Sequence, residues 1–414
     1  MRRVVGGVTG LVLLLLGVIA GNVWSRSKRL GDSLVDAANA RSQDFARPVH
    51  RQPAEGTTFQ ACLGPIIDSV PDGGLLAFTG KADADLVSDV LDGRAEFAQL
   101  STATVTALHH DAPIAREALA CSRAPMMGDA PGMGPLAGWQ HPRKRHPPQL
   151  QINKLALLEA QELLRDGHAD EALELCGDVW AFGRDVVYDE GLIGAMLCTA
   201  MVQRSMQTCG LAVDRASVGA KSRFLAELVE LRRGLPSFAD VLDTERVEIQ
   251  LIAWGDFLSE RQLRLLPENA RELANEHNAE DGEHPLRSVA RWLYWSEAVD
   301  TARRLSAAAR LPTRRSAMAS IESEHSFLEA LADPGPKSPM SGFMLRYDVV
   351  PLEFDLLEAA ARVDLGLTPS STVTVTHVDG GVELHVEWEV DAGESVIIHP
   401  DSAAASSGSA ATPR

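Results

Sequence analysis

The chain has 414 residues, of which 45% are hydrophobic and 23% are charged, and its formal net charge is −18. This length is sufficient for two or three domains with buried cores. The acidic balance argues against a nucleic-acid-binding protein, which needs a basic face to contact phosphates. Five cysteines are too few for a fold built on disulfides alone.

Residues 1–29 predict a membrane anchor. Two arginines precede an uncharged run at 4–24, and three basic residues follow it. As a helix this run is about 32 Å long, which is enough to cross a bilayer core. We therefore expect an uncleaved signal anchor that contacts the membrane through residues 4–24. A cleaved signal peptide is the alternative, because the small residue Ala20 precedes Gly21.

The direction of insertion is not settled by charge, because basic residues flank both ends of the run. No second membrane-spanning run is evident in the sequence. We therefore expect the anchor to be single-pass and the remainder of the chain to be exported.

The cysteine spacing restricts the possible disulfides. Cys198 and Cys209 fall on one predicted helix about 16 Å apart, which is beyond the reach of a disulfide. Cys176 can pair with either of them, but not with both. A Cys62–Cys121 bridge would close a long loop and contribute about 4 kcal/mol. The alternative is that all five cysteines are buried as small hydrophobic residues.

Residues 30–123 read as a small helical region and residues 124–149 as a Pro/Gly-rich basic linker. Short helices are predicted at 59–70, 83–98 and 113–122, with a turn at 111–113.

The linker contains Arg143, Lys144 and Arg145, a basic cluster in an acidic chain. Such side chains bind phosphate or carboxylate groups, so an anionic lipid headgroup or an acidic partner segment is a reasonable ligand. The alternative is a solvated linker that is merely basic.

Helical spacing of apolar residues is strongest from residue 150 to 182, where it predicts two antiparallel helices. The turn at 166–172 resembles the centre of a tetratricopeptide-type hairpin, with Ala160 and Ala172 where such hairpins need small residues. This resemblance implies helical-hairpin packing. We find no second copy at the usual period of about 34 residues.

Residues 150–333 are predicted to form one α-helical domain, either a bundle or a short α-solenoid. Its buried faces carry Trp254, Trp292 and Trp295, which are candidates for lining a groove that binds a ligand or peptide. The later helices are predicted at 190–212, 217–233, 237–263, 266–277, 285–309 and 313–332.

Residues 334–400 are predicted to be a small α+β element, with a strand at 343–350, a helix at 352–362 and a β-hairpin at 372–390. A two-residue Asp379-Gly380 turn would pair Val375 with Leu384 and Val373 with Val386. Residues 401–414, which are rich in Ala and Ser, are expected to be a disordered tail.

The segment at 339–347, PMSGFMLRY, resembles an element of poorly characterised bacterial envelope proteins. Those proteins have no established activity to transfer, so the resemblance implies only a location. Together with the anchor, it favours the bacterial inner membrane, with the bulk of the chain in the periplasm.

Candidate catalytic and metal residues are few. Glu322 and His325 have the Glu-x-x-His spacing used in dimetal helical bundles. A complete site needs two such motifs and two further glutamates, and only one mid-helix motif is present. We therefore predict no metal and no cofactor, and we identify no catalytic residue.

These observations predict a mainly α-helical chain with an N-terminal transmembrane helix and a small C-terminal β-hairpin element. The leading hypothesis is a membrane-anchored extracytoplasmic scaffold or interaction module of the bacterial envelope, which binds a protein partner and no nucleic acid. One alternative is an extracytoplasmic, hydrolase-like enzyme with an unrecognised site. Another is a component of a secretion system or pilus, although residues 4–24 lack the glutamate of a prepilin.

Overall fold

A computed structural model places the described residues mainly in helices, with one β-hairpin near the carboxyl end. The structure describes residues 31–39, 58–70, 81–124, 148–254, 258–266, 303–314, 316–321, 346–369, 373–378 and 381–386, together with positions 75, 271, 274, 301 and 344.

The helices that precede residue 125 are α1 (31–39), α2 (Phe59–Ser69), α3 (Lys81–Leu91) and α4 (Thr102–Ala120). The next group is α5 (Pro148–Arg165), α6 (Ala169–Arg215), α7 (Val218–Arg233) and α8 (Phe238–Trp254). The last group is α9 (Glu260–Leu265), α10 (303–308), α11 (316–321) and α12 (Val349–Asp364).

Polar side chains mark several of the helix starts. Thr58, Ser101 and Ser217 each accept a hydrogen bond from a backbone N–H in the first turn of α2, α4 and α7. These contacts satisfy amide groups that have no partner within the helix.

Helix α6 is folded back on itself at Gly191, whose φ of 55° and ψ of −124° are not helical. Only glycine adopts this conformation without strain. The two halves then pack closely, because a Cβ on Gly183 would lie 3.6 Å from the Sγ of Cys198. At Gly194 the approach is closer still, since a Cβ there would overlap the carbonyl oxygen of Val186. The reversal therefore depends on glycine at two positions.

One hydrophobic core joins most of the described chain, from Phe59 to Leu384. Its centre includes Trp180 and Phe354, whose rings meet edge to face at 4.3 Å between centroids. Phe59 packs against Phe182 at 6.1 Å. The predicted segments 30–123, 150–333 and 334–400 thus contribute to the same core.

Helices α7 and α12 run antiparallel and are joined by two ion pairs. Asp355 accepts from the Nε of Arg232 at 2.8 Å and from its terminal nitrogen at 2.9 Å. Further along, the Nζ of Lys221 lies 2.8 Å from Asp364. Asp355 is almost fully buried, so its pairing with arginine offsets the cost of removing a carboxylate from water.

The C-terminal strands β1 (Val373–Val378) and β2 (Gly381–Val386) are antiparallel. Val373 pairs with Val386, and Val375 pairs with Leu384, which confirms the predicted register. The hairpin contacts α12, and the buried side chains of Val373 and Leu384 join the main core. Among the described residues, the hairpin thus packs on a helix.

Two sequence-based boundaries are wrong. The predicted strand at 343–350 is helical where it is described, because a short apolar run does not distinguish a strand from a buried helix. The predicted turn at 111–113 lies inside α4, which continues through Pro113. Pro113 faces solvent. Burial of Leu108, Ala112 and Ala115 in the core stabilises the helix on both sides of the proline.

Two predicted helices are also shorter than expected. The helix predicted at 83–98 ends at Leu91 and is followed by Gly93, which has a φ of 67°. The helix predicted at 237–263 is divided, since Ser259 and Gln262 form a capping box that starts α9. Residues 125–147 of the linker and the tail at 401–414 lie outside the described residues.

Among the residues that the structure describes, no helix is both long and apolar enough to cross a bilayer. The predicted span at 4–24 lies outside those residues.

Replacing Gly194 with alanine should lower the free energy of unfolding by about 3 kcal/mol, because the new methyl group overlaps backbone atoms that do not move freely. Gly183→Ala on the facing half of α6 is the matched control. Its methyl group makes ordinary contacts, and it should be neutral or stabilising by about 0.5 kcal/mol. Urea denaturation monitored by circular dichroism measures both, and equal losses would contradict the close approach at Gly194.

Candidate functional site

A charged pair lies in the middle of the helical core. Arg184 and Asp185 are adjacent on α6, and both side chains are completely buried. The Nε of Arg184 donates to Oδ1 of Asp185 at 2.8 Å, and its terminal nitrogen lies 2.7 Å from the same oxygen. Pairing is what makes two buried charges tolerable, since an isolated charge in the core would be far more costly.

Two further ionisable groups lie near this pair. Burial raises the pKa of the Glu353 carboxyl on α12 well above its usual range. Burial also raises the pKa of the Cys198 thiol, and the negative charges of Glu353 and Asp185 raise it further. The positive charge of Arg184 opposes this effect without reversing it.

This buried cluster is poorly suited to catalysis. A nucleophilic cysteine needs a lowered pKa and access to solvent, whereas the Cys198 thiol is protonated and fully buried. A substrate would reach Glu353 or Arg184 only if helices separated. The cluster therefore fixes how α6 packs against α12.

Two disulfides cross-link the helices. Cys62 at α2 is joined to Cys121 after α4, the pair named from the sequence, with Cα atoms 5.5 Å apart. Cys176 is joined to Cys209, so the bridge connects the two halves of α6 near their open end. Cys198 is left as a free, buried thiol. The sequence allowed Cys176 to pair with Cys198 or with Cys209. The bridge forms with Cys209, because the reversal at Gly191 brings Cys209 opposite Cys176.

A shallow depression lies on the surface between the first half of α6 and α7, and we call it the α6–α7 depression. Its volume is about 250 Å³ with open solvent included. The residues that line it are Leu173, Glu174, Ala220, Arg223, Phe224 and Glu227.

The floor of the α6–α7 depression is apolar and its rim is charged. Leu173 and Phe224 are buried beneath it, while Arg223 lies 3.6 Å from Glu174 at the rim. This combination suits a peptide or protein surface better than an enclosed ligand.

The start of α7 is held rigidly beside this surface. Both carboxylate oxygens of Asp170 on α6 accept from Ser217, one from its backbone N–H at 2.6 Å and one from its hydroxyl at 2.7 Å. These bonds lower the pKa of Asp170. The first turn of α7 is therefore fixed against α6.

The site residues predicted from the sequence fall mostly outside the described part of the chain. This applies to Arg143, Lys144 and Arg145, to Trp292 and Trp295, and to Glu322 and His325. Trp254 is the last residue of α8, and its side chain lies outside the part of the chain that the structure describes. The structure therefore tests neither the predicted groove nor the predicted basic cluster. Within the described residues, no group of three or more His, Cys, Asp or Glu side chains is arranged to hold a metal ion.

Neither a protein-family model, nor a curated protein, nor a solved structure matches the chain. The tetratricopeptide likeness of residues 150–182 thus remains a statement about one hairpin. The helices α5 and α6 do form an antiparallel pair there, with a turn at Gly167 whose φ is 85°.

Sequence reasoning did not single out Arg184, Asp185 or Glu353. A signal was present for the first two, because an Arg-Asp pair interrupts a run of apolar residues between Val179 and Val187. The residues of the α6–α7 depression gave no comparable signal, since their grouping depends on how two helices meet.

Removing the bridge of α6 with Cys176→Ala and Cys209→Ala should lower the free energy of unfolding by about 4 kcal/mol, because the unfolded chain gains the freedom of the opened loop. Cys198→Ala is the control, since it removes a buried sulfur but no cross-link, and it should cost about 1 kcal/mol. Guanidinium denaturation without reductant measures each variant. Equal costs in the two variants would mean that the bridge does not form.

The raised pKa of the Glu353 carboxyl predicts a specific pH dependence of stability. The folded state binds this proton more tightly than the unfolded chain, so the associated stability is present at low pH and is lost as pH rises from the usual carboxyl range towards the raised pKa. Glu353→Gln and Glu353→Met, both uncharged, should remove this decline. Unfolding free energies measured between about pH 4 and pH 8 test it, and a native chain that follows the same slope as both variants would refute it.

Proposed function

We propose that this chain is a single-pass, membrane-anchored interaction module whose helical part works outside the cytoplasm. The observation that carries the proposal is the disulfide-locked hairpin of α6. Disulfides persist mainly in oxidising compartments, and two of them stabilise the described helices. This supports export by the predicted anchor at residues 4–24, in keeping with a place in the bacterial inner membrane and the periplasm.

Binding rather than catalysis is supported by what the surface and the core offer. The buried ionisable cluster around Arg184 is closed to substrates. The α6–α7 depression instead has an apolar floor and a charged rim. Helical hairpins commonly bind partner segments at such surfaces.

The charges at the α6–α7 depression indicate what kind of partner would fit. Glu174 and Glu227 outnumber Arg223, so the rim is net acidic. We propose a partner segment that inserts an apolar side chain above Phe224 and places a basic residue near Glu227. Because the first half of α6 is cross-linked and α7 is fixed by Asp170, binding would require little rearrangement.

The export part of the proposal is tested with a full-length fusion to alkaline phosphatase, which is active only where disulfides form. We expect phosphatase activity from the fusion and loss of activity when residues 4–24 are deleted. A matched fusion to a fluorescent protein that matures only in the cytosol should be dark. A bright fluorescent fusion with an inactive phosphatase fusion would refute export.

The binding part is tested by placing a photo-crosslinking amino acid at Arg223, an exposed residue of the rim, in the full-length protein in native membranes. We expect a discrete adduct that disappears when Glu227 is changed to Lys. Gln203, exposed on the second half of α6, is the matched control and should give no adduct. The same adduct from both positions, or none from Arg223, would refute a binding surface at the α6–α7 depression.

A further inference from the structure

Helix α1 is docked against the far end of the helical chain. Leu34, Val35 and Ala38 pack with Val247 and Leu251 of α8 in a second, smaller core. The same core includes Leu258, Leu266 and Ala274 around α9. Two segments that are distant in the sequence thus form one packed unit. One is α1, which follows the predicted anchor closely, and the other is the region around α8 and α9.

Hydrogen bonds fix the position of α1 on α9. The side-chain nitrogen of Gln262 donates to Asp32 at 2.9 Å, and the side-chain nitrogen of Asn39 donates to the backbone oxygen of Leu265 at 3.0 Å. Gly31 lies so close that a Cβ there would be 2.5 Å from the Nε2 of Gln262. Both ends of α1 are therefore tied to α9.

The chain length between anchor and α1 limits how far this unit lies from the membrane. The predicted span ends at residue 24, and α1 begins at residue 31. Even fully extended, seven residues reach about 25 Å. Since α1 is tied to α9, the end of the molecule that contains α9 has to stay near the bilayer surface.

The reversal of α6 belongs to the same end. A Cβ on Gly191 would lie 3.7 Å from the side chain of Thr244 on α8, and Glu245 accepts a hydrogen bond from the backbone N–H of Leu192. Thr244 precedes Val247, which contacts α1, by only one helical turn. The tip of α6 therefore lies beside the α1–α9 unit.

This end exposes apolar side chains. Ile193 and Met196 at the tip of α6 are 41% and 45% exposed, and Leu265 at the end of α9 is 54% exposed. Arg261 is exposed next to Leu265, and Arg264 is exposed there in an ion pair with Glu260 at 3.2 Å. Apolar residues with basic neighbours are the composition of surfaces that enter the headgroup region of anionic bilayers.

We propose that Ile193, Met196 and Leu265 form a membrane-contacting surface that inserts into the lipid headgroup region, while Arg261 faces anionic headgroups. The occupant of this surface is the bilayer that holds the anchor, so the inference rests on the proposed membrane attachment. It does not depend on which side of the membrane the helices occupy, because α1 follows the anchor in either orientation.

The opposite end of α6 supplies the control. Val218 is exposed there beside Ser217, and Leu367 is exposed beyond the ion pair of Lys221 with Asp364. The first half of α6 is about 33 Å long, so this end is far from Gly191. It carries exposed apolar residues too, but the tether of α1 keeps it away from the bilayer.

The experiment uses full-length protein in liposomes of phosphatidylethanolamine and phosphatidylglycerol that contain nitroxide-labelled headgroup lipid. Single cysteines at Ile193, Leu265 or Val218 carry a bimane fluorophore in a Cys198→Ala background, in which the other four cysteines are disulfide-bonded. We expect at least threefold stronger quenching at positions 193 and 265 than at position 218. Met196→Cys replaces Ile193→Cys if that variant does not fold.

Carbonate extraction of the same liposomes distinguishes a failure of the proposed membrane attachment from a failure of the proposed membrane-contacting surface. A chain that is extracted has no anchor, and this would overturn both the proposed attachment and the surface. A chain that stays in the membrane with equal quenching at all positions, or with stronger quenching at position 218, would overturn the surface alone. Replacing phosphatidylglycerol with phosphatidylcholine should weaken quenching at position 265, next to the arginines, more than at position 193.

Discussion

The reversal of α6 at Gly191 is the constraint on which the rest of the structure depends. It turns one long segment into two facing helices. The helices α5, α7, α8 and α12 pack against this hairpin. It also brings Cys176 opposite Cys209, so that a covalent bridge holds the open end while Gly191 forms the closed end. The hairpin is thus fixed at both ends, by backbone conformation at one and by a disulfide at the other.

The buried charged residues of the helical core also lie on this hairpin. Arg184 and Asp185 neutralise each other inside it, and the buried carboxyl of Glu353 on α12 has a raised pKa. Such groups contribute little net stability compared with apolar residues of similar size, but they penalise alternative packings in which a charge would be unpaired. We interpret the cluster as a device that selects one arrangement of α12 on α6. Ligands or partners would then bind at the surface, and the surface differs between the two ends of α6.

Those two ends suggest a division of roles. One end is tied by α1 to the predicted anchor, and the other carries the α6–α7 depression and the exposed Val218. A helical body of about 33 Å would hold a partner at a defined height above the bilayer. Under the proposed function, this arrangement would explain why the hairpin is rigid and cross-linked, because a flexible body would not fix that height.

The sequence by itself determined the helical class, the antiparallel pair at 150–182 and the register of the β-hairpin, because each follows from the local period of apolar side chains. It misjudged Pro113 and the run at 343–350, where packing overrides a local breaker or a short apolar pattern. Only the tertiary structure decided which cysteine joins Cys176 and which helices share a core. Those outcomes depend on contacts between residues far apart in the chain, which no local pattern records.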